Sequence, residues 1–313
     1  MSENAKAAGV NRAKLYQLVL FPLNNGATNV YYVLVLSYIA TFGSNVLALG
    51  TLFASVMVTA MRLCDAITDP IIGALMDRTN GKFGKFRPFM AIGNLIMAVS
   101  ILVLYGITPM IPDTMMWARY AAFVGLYFVW VIGYTFQTSC TRSGQTVLTN
   151  DPKQRPLFTS FDGVYNTLVF AILGIIIPRI ANSYNDVGGY ASLEFFDTLW
   201  KMTAIMSAIF TIIAVISIAP KDRSEFFGTG KPVKVGLKDY WDTLKNNRAI
   251  QMLVLSASTD KLGSSAKSSA VMVAMFACIA GSNLLQSNVT GLVTIPSTIV
   301  CFLFISFFAT RLG

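Results

Sequence analysis

Long apolar runs joined by short polar connections set the pattern of this chain. The runs lie near 15–40, 46–76, 87–108, 115–140, 157–181, 198–219, 249–280 and 288–310. A helix needs about 20 mostly apolar residues to cross a bilayer, so the pattern predicts an all-α, polytopic membrane bundle of about eight spanning helices. The polar connections are of two kinds. Those at 41–45, 109–114, 182–197 and 281–287 hold no lysine or arginine, whereas residues 1–14, the turns after the second and fourth runs, and 220–248 hold seventeen of the 24. Basic residues are retained on the cytoplasmic side, which predicts a cytoplasmic N-terminus in a plasma (inner) membrane.

Composition sharpens this reading. Of the 313 residues 54% are hydrophobic and 12% charged, whereas a soluble domain carries about 25% charged residues. The net charge of +9 sits in the connections, which points to membrane lipids and away from nucleic acid. The chain has no histidine, excluding histidine-based metal sites and histidine proton relays. Cys64, Cys140, Cys278 and Cys301 all fall in apolar runs and read as small buried hydrophobes without a disulfide framework. Residues 1–14 are polar with no small-residue cleavage site, so no cleavable signal is expected. No nucleophile with a base, metal-ligand cluster or phosphate-binding loop is visible, so neither an enzyme nor a cofactor is expected.

The second run carries the chemistry. Arg62, Asp65 and Asp69 follow at i, i+3 and i+7, on one helical face, and charges at membrane depth survive only facing a cavity, a partner or an ion. Pro70 comes next and withdraws the helical donor from the Ala66 carbonyl. Two carboxylates on adjacent turns beside a free carbonyl suit a hard cation, which prefers oxygen ligands. The alternative is that Arg62 merely neutralises an aspartate inside the bundle.

Polar insertions mark three further runs. The first holds N-N-G-A-T-N, Asn24 to Asn29, including Asn25 and Thr28, which reads as either helix packing or a cavity wall. The fourth ends in Y-T-F-Q-T-S-C-T-R-S-G-Q, with Thr135, Thr138 and Arg142 sharing a face beside Tyr134. The fifth opens with F-D-G-V-Y-N-T, placing Asp162, Tyr165 and Asn166 together. Asp162 is the expected ionic partner of Arg142. Unpaired, Arg142 either snorkels to the headgroups or grips a substrate carboxylate bidentately. The seventh run holds a polar stretch, Ser256 to Ser269, with Asp260 and Lys261. Within 220–248, Leu237, Tyr240, Trp241 and Leu244 are spaced as an amphipathic helix on the inner surface.

Two motifs carry a family resemblance. Gly73-x-Leu75-x-Asp77-Arg78-x-x-Gly81-Lys82 resembles the loop signature between helices two and three of the major facilitator superfamily. R-L-C-D-A-I-T-D-P-I-I-G followed by G-K-F-R-P resembles the glycoside–pentoside–hexuronide:cation symporters, of the melibiose permease type. The resemblance implies a major facilitator fold, here reaching only about eight of twelve helices. It divides the chain into a six-helix bundle at 1–219, a cytoplasmic linker at 220–248, and at 249–313 the first two helices of an incomplete second bundle. It implies a coupling cation, Na⁺ or H⁺, held by Asp65 and Asp69, with Thr135 matching the family's cation-ligating threonine and Thr68 or the Ala66 carbonyl completing the shell. It assigns gating to the loop at Gly73, Asp77, Arg78, Gly81 and Lys82. Thr28 and Asn29 match a sugar-binding lysine–aspartate pair, Thr138 a sugar-binding aspartate and Arg142 a stacking tryptophan, so the charged galactoside ligands are absent. The function implied is a cation-coupled sugar or glycoside symporter working by alternating access. The competing expectation is a non-transporting membrane fragment or receptor-like relic, because substrate sites lie between the halves.

Overall fold

The computed structural model describes residues 11–79, 81, 83–151, 154–223, 226, 245–266, 274–282, 284–293, 296, 297 and 300. They fold as helices, without a strand among them beyond an isolated bridge between Gly81 and Gly84. The first apolar run is broken into α1 (Leu15–Leu20), α2 (Leu23–Tyr32) and α3 (Tyr38–Asn45). Pro22 precedes α2, and a π-turn at Val33–Ser37 separates α2 from α3. Proline lacks the N–H that would continue α1, and a π-turn adds a residue to the helical repeat, a device often found near functional sites. Then follow α4 (Thr51–Arg78), α5 (Phe86–Ile101), α6 (Met116–Leu148), α7 (Gln154–Ser183), α8 (Leu193–Ile218) and α9 (Arg248–Ala266).

Five segments among the described residues are long and apolar enough to cross a membrane: Thr51–Met76, Phe86–Met110, Asp113–Leu148, Gln154–Ser183 and Leu193–Ile218. The fourth runs further than its apolar stretch suggested, because polar residues 141–148 stay helical to Leu148. The amphipathic segment at 237–244 and most of the eighth run lie outside the described residues.

The chain divides into two compact units, Met1–Phe227 with Asn283–Gly313, and Gly228–Ser282. In the first, α2 packs against α6, α7 and α8, and α5 lies along α6. That last contact is backbone to backbone: a Cβ on Gly93 would lie 2.8 Å from the Gly133 carbonyl oxygen, and one on Gly133 as close to that of Gly93. Small residues allow such crossings in lipid. Outward, Leu63, Ile67, Ile71 and Leu75 expose one stripe of α4, and Ile205, Ile209, Ile212 and Ile216 one of α8. Such faces suit hydrocarbon. Toward one end, Leu18, Phe21, Met76, Phe86, Met90, Cys140, Leu148, Phe158 and Ile218 close a dry core. Helical residues 284–293 reach α7, where the Ser287 hydroxyl donates to the Ile175 carbonyl at 2.9 Å. The second unit holds α9 and a π-turn at Ala274–Ile279.

Candidate functional site

The α4 carboxylates and their neighbours come from three elements. Pro70 lies inside α4 without ending it, because the surrounding turns still close. On the face turned from the Leu63–Ile67–Ile71 stripe, Asp65 is half-buried, and its Oδ1 is wholly buried with no hydrogen-bond partner. Thr68 donates to the Asp65 carbonyl at 3.2 Å and meets the Thr135 hydroxyl of α6 at 3.1 Å. Thr135 is fully buried. Asp69, also half-buried, forms no hydrogen bond or ion pair with described residues. Two carboxylates and two hydroxyls, of Asp65, Asp69, Thr68 and Thr135, thus come from two helices.

Arg62 forms no salt bridge with an aspartate among the described residues. Its Nη2 donates to the Tyr32 hydroxyl, and its guanidinium carbon sits 4.8 Å from the centre of the Tyr32 ring. Tyr32 leads into an aromatic row: Tyr134 at 6.0 Å between ring centres, then Trp130 stacked on Tyr134 at 5.3 Å, then Tyr127 at 6.1 Å. The Trp130 Nε1 and the Tyr127 hydroxyl are buried without partners. Sequence reasoning did not find this row, although Tyr127, Trp130 and Tyr134 stand at i, i+3 and i+7 on one face of α6.

A second polar group joins α2 to α7. Asn25 donates to the Asp162 carboxylate at 2.9 Å, and Asn29 donates to the Asn25 side-chain oxygen at 3.3 Å and to that of Asn166 at 2.9 Å. The predicted Arg142–Asp162 ion pair is not formed: Asp162 takes the Asn25 amide, and Arg142 is exposed near the end of α6. A neutral donor from α2 satisfies the carboxylate in place of the arginine. Thr28 and Thr138 turn their hydroxyls back on their own helices, Thr28 to the Asn25 carbonyl at 2.8 Å and Thr138 to the Tyr134 carbonyl at 3.0 Å.

A third group is closed. Asn24 donates to the Gln137 carbonyl at 3.0 Å and to the Thr141 hydroxyl at 2.7 Å, while the Gln137 amide donates to Asn24 at 2.9 Å and to Thr211 at 2.6 Å. Asn94 donates to Ser207 at 2.8 Å, and Ser207 to the Ala27 carbonyl at 3.0 Å. Of the asparagines at 24–29, then, Asn24 belongs to packing while Asn25 and Asn29 face the α7 carboxylate.

In the last turns of α4, Gly73 has open space around it, and Arg78 is exposed. The Gly84 N–H returns to the Gly81 carbonyl at 3.0 Å. Lys82 and the side chain of Asp77 lie outside the described residues.

The paired aspartates of α4 and the amide–carboxylate group joining α2 to α7 thus lie on a frame of apolar helices. The sequence profile of the MFS/sugar transport proteins matches residues 21–313. The chain belongs to that family. Within it, the chain is 29% identical over 209 residues to an uncharacterized symporter, YnaJ, of Bacillus subtilis, covering 65% of this chain and 41% of that protein. It is 27% identical over 226 residues to the inner membrane symporter YicJ of Escherichia coli, 71% and 46% of the two chains. It is 24% identical over 242 residues to a glucuronide carrier protein homolog of Escherichia coli, 77% and 50%. The chain therefore spans half or less of the length of these relatives. With family membership and five membrane-length helices, it is an integral membrane protein.

Proposed function

We propose that this chain forms the first part of a cation-coupled sugar or glycoside symporter working by alternating access. The observation that carries the reading is the Asp65 oxygen, buried and unpartnered, one turn from Asp69 and beside the Thr68–Thr135 hydroxyl pair. Like charges one helical turn apart repel unless a cation or a proton stands between them. A monovalent cation, Na⁺ or H⁺, binds there, with Asp65, Asp69, Thr68, Thr135 and the Ala66 carbonyl as ligands. Arg62, held on Tyr32, is free to swing toward the carboxylates when the ion leaves. Sugar hydroxyls meet the wall of Asn25, Asn29, Asp162 and Asn166, with Thr28, Thr138, Tyr134 and Arg142 at its edges. The loop at Gly73, Asp77, Arg78, Gly81 and Lys82 gates the cytoplasmic side. Residues 1–219 form one bundle, 220–248 the linker and 249–313 the start of the second bundle, with the N-terminus cytoplasmic in an inner membrane.

Sugar binding by the full-length carrier with and without Na⁺, and at falling pH, tests this. Asp69→Cys is expected to fold and to lose cation stimulation of binding. Cation-dependent accumulation retained in both Asp65→Cys and Asp69→Cys would overturn the reading.

A further inference from the structure

The G-K-F-R-P motif before α5 has a partner that the sequence does not suggest. Helix α5 begins at Phe86 after Lys85, and no side chain of its own first turn caps it. The first N–H groups of a helix need acceptors from elsewhere. Here they come from 137 residues away. The Asp222 carboxylate accepts from the backbone N–H of Lys85 at 2.8 Å, of Phe86 at 3.1 and 3.2 Å, and of Arg87 at 2.9 Å. Arg87 Nε adds a fourth contact at 3.4 Å. The Asp222 side chain is fully buried. A carboxylate at a helix N-terminus is favoured both by these charge-assisted bonds and by the helix dipole.

Gly84 belongs to the same arrangement. Its φ of +89° lies in the left-handed region, and a Cβ there would overlap the Asp222 carboxylate and lie 2.6 Å from the Asp222 carbonyl oxygen. Glycine is needed for the backbone turn and for the approach of the acid. On the other side, Lys221 donates to the Arg12 carbonyl at 3.0 Å and to the Asn11 side chain. Arg12 in turn pairs with Asp151 at 2.8 Å, in the turn between α6 and α7. Two adjacent residues just past α8 therefore reach in different directions, one to the start of α5 and one to the N-terminal strap.

We propose that Asp222 is a latch: its carboxylate ties the segment leaving α8 to the loop between α4 and α5, so that the two move as one piece. The strap at Asn11–Arg12 keeps the latch in register. Motion of the chain beyond Asp222 is thereby delivered to the loop that carries Asp77 and Arg78. The latch does not depend on the transport reading, because its test measures no transport.

Backbone hydrogen exchange on the whole chain in lipid nanodiscs tests it, with peptides covering 84–90, 219–223 and 183–195. Asp222→Ala is expected to speed exchange at 85–87 on the order of ten- to a hundredfold, as loss of bonds to a charged acceptor implies, and to speed 219–223 with it. Asp222→Asn, which keeps an acceptor but not the charge, falls between. Gly84→Ala breaks the contact from the other side and releases the same two segments. Residues 183–195 stay as in the parent. Should Asp222→Ala fail to fold, Asp222→Asn and Gly84→Ala carry the test. Unchanged exchange at 85–87, release of 85–87 without 219–223, or a uniform rise that includes 183–195 would each overturn the latch.

Discussion

The contact of α2 with α6 and α8 and the contact of α4 with α6 both place polar side chains at membrane depth, and they finish differently. In the first, Asn24, Gln137, Thr141 and Thr211 exchange four hydrogen bonds, and only the Gln137 oxygen is left over. In the second, the Thr68 and Thr135 hydroxyls meet across the helices, and Asp65 keeps a buried oxygen without a partner. The first group is neutral and satisfied but for one amide oxygen, so it acts as glue. The second is charged and unsatisfied, and burying such a group is unfavourable unless a ligand completes it. Fixed packing and an open binding site are thus distinguished by what remains unpaired.

Substitutions that break the closed group should lower stability with or without cation. Gln137→Leu removes two of the four bonds and strands the Asn24 oxygen; an unsatisfied buried polar group costs about 1–3 kcal/mol. Thermal unfolding in detergent should show a lower midpoint in Na⁺ and choline buffers alike. A drop confined to one buffer would place Gln137 in the cation site instead.

The α2–α7 wall is intermediate, a carboxylate held by an amide. Asn25→Ala leaves Asp162 without its donor, and Asp162→Asn removes the charge that needs one. The two changes should couple by about 0.5–3 kcal/mol, the range for side chains in contact, with the double variant milder than the sum. Pairing Arg142→Ala with Asp162→Asn should instead give additive effects, since Arg142 does not touch Asp162. Unfolding midpoints of the two sets of variants decide between these partners.

Smaller effects are expected at the open site. Thr68→Val removes one hydroxyl from the link to Thr135, and such bonds between membrane helices average about 0.6 kcal/mol. Its stability should barely move while its cation dependence weakens. Asp65→Asn should move the midpoint little in cation-free buffer, because the buried Asp65 oxygen gives up no hydrogen bond. A marked loss there would mean that Asp65 is part of the glue.

Much of this was legible in the sequence because it rests on local period. The places of the four runs from Phe86 to Ile218 followed from hydropathy, though not the extension of α6 to Leu148, and the shared face of Arg62, Asp65 and Asp69 followed from helical spacing. What spacing cannot carry is the choice of partner across helices. Arg62 met Tyr32 instead of an aspartate, and Asp162 met Asn25 instead of Arg142, because both choices depend on depth along neighbouring helices. The break of the first run near Pro22 was signalled by the proline, but the π-turn at Val33–Ser37 was not. Asp222 gave no local sign at all, since its acceptor role depends on a helix start 137 positions earlier.

The central claim is that Asp65 and Asp69 hold the coupling cation. The most direct measurement is the unfolding midpoint of the full-length carrier titrated with Na⁺ against choline at fixed ionic strength, and with pH, for the parent and the Asp65→Asn/Asp69→Asn variant. A ligand at a hundred times its dissociation constant stabilises the folded state by about 2.7 kcal/mol. The parent midpoint is predicted to rise with Na⁺, or with protons if the site takes H⁺, while the double variant stays flat. An equal rise in both proteins would contradict the claim.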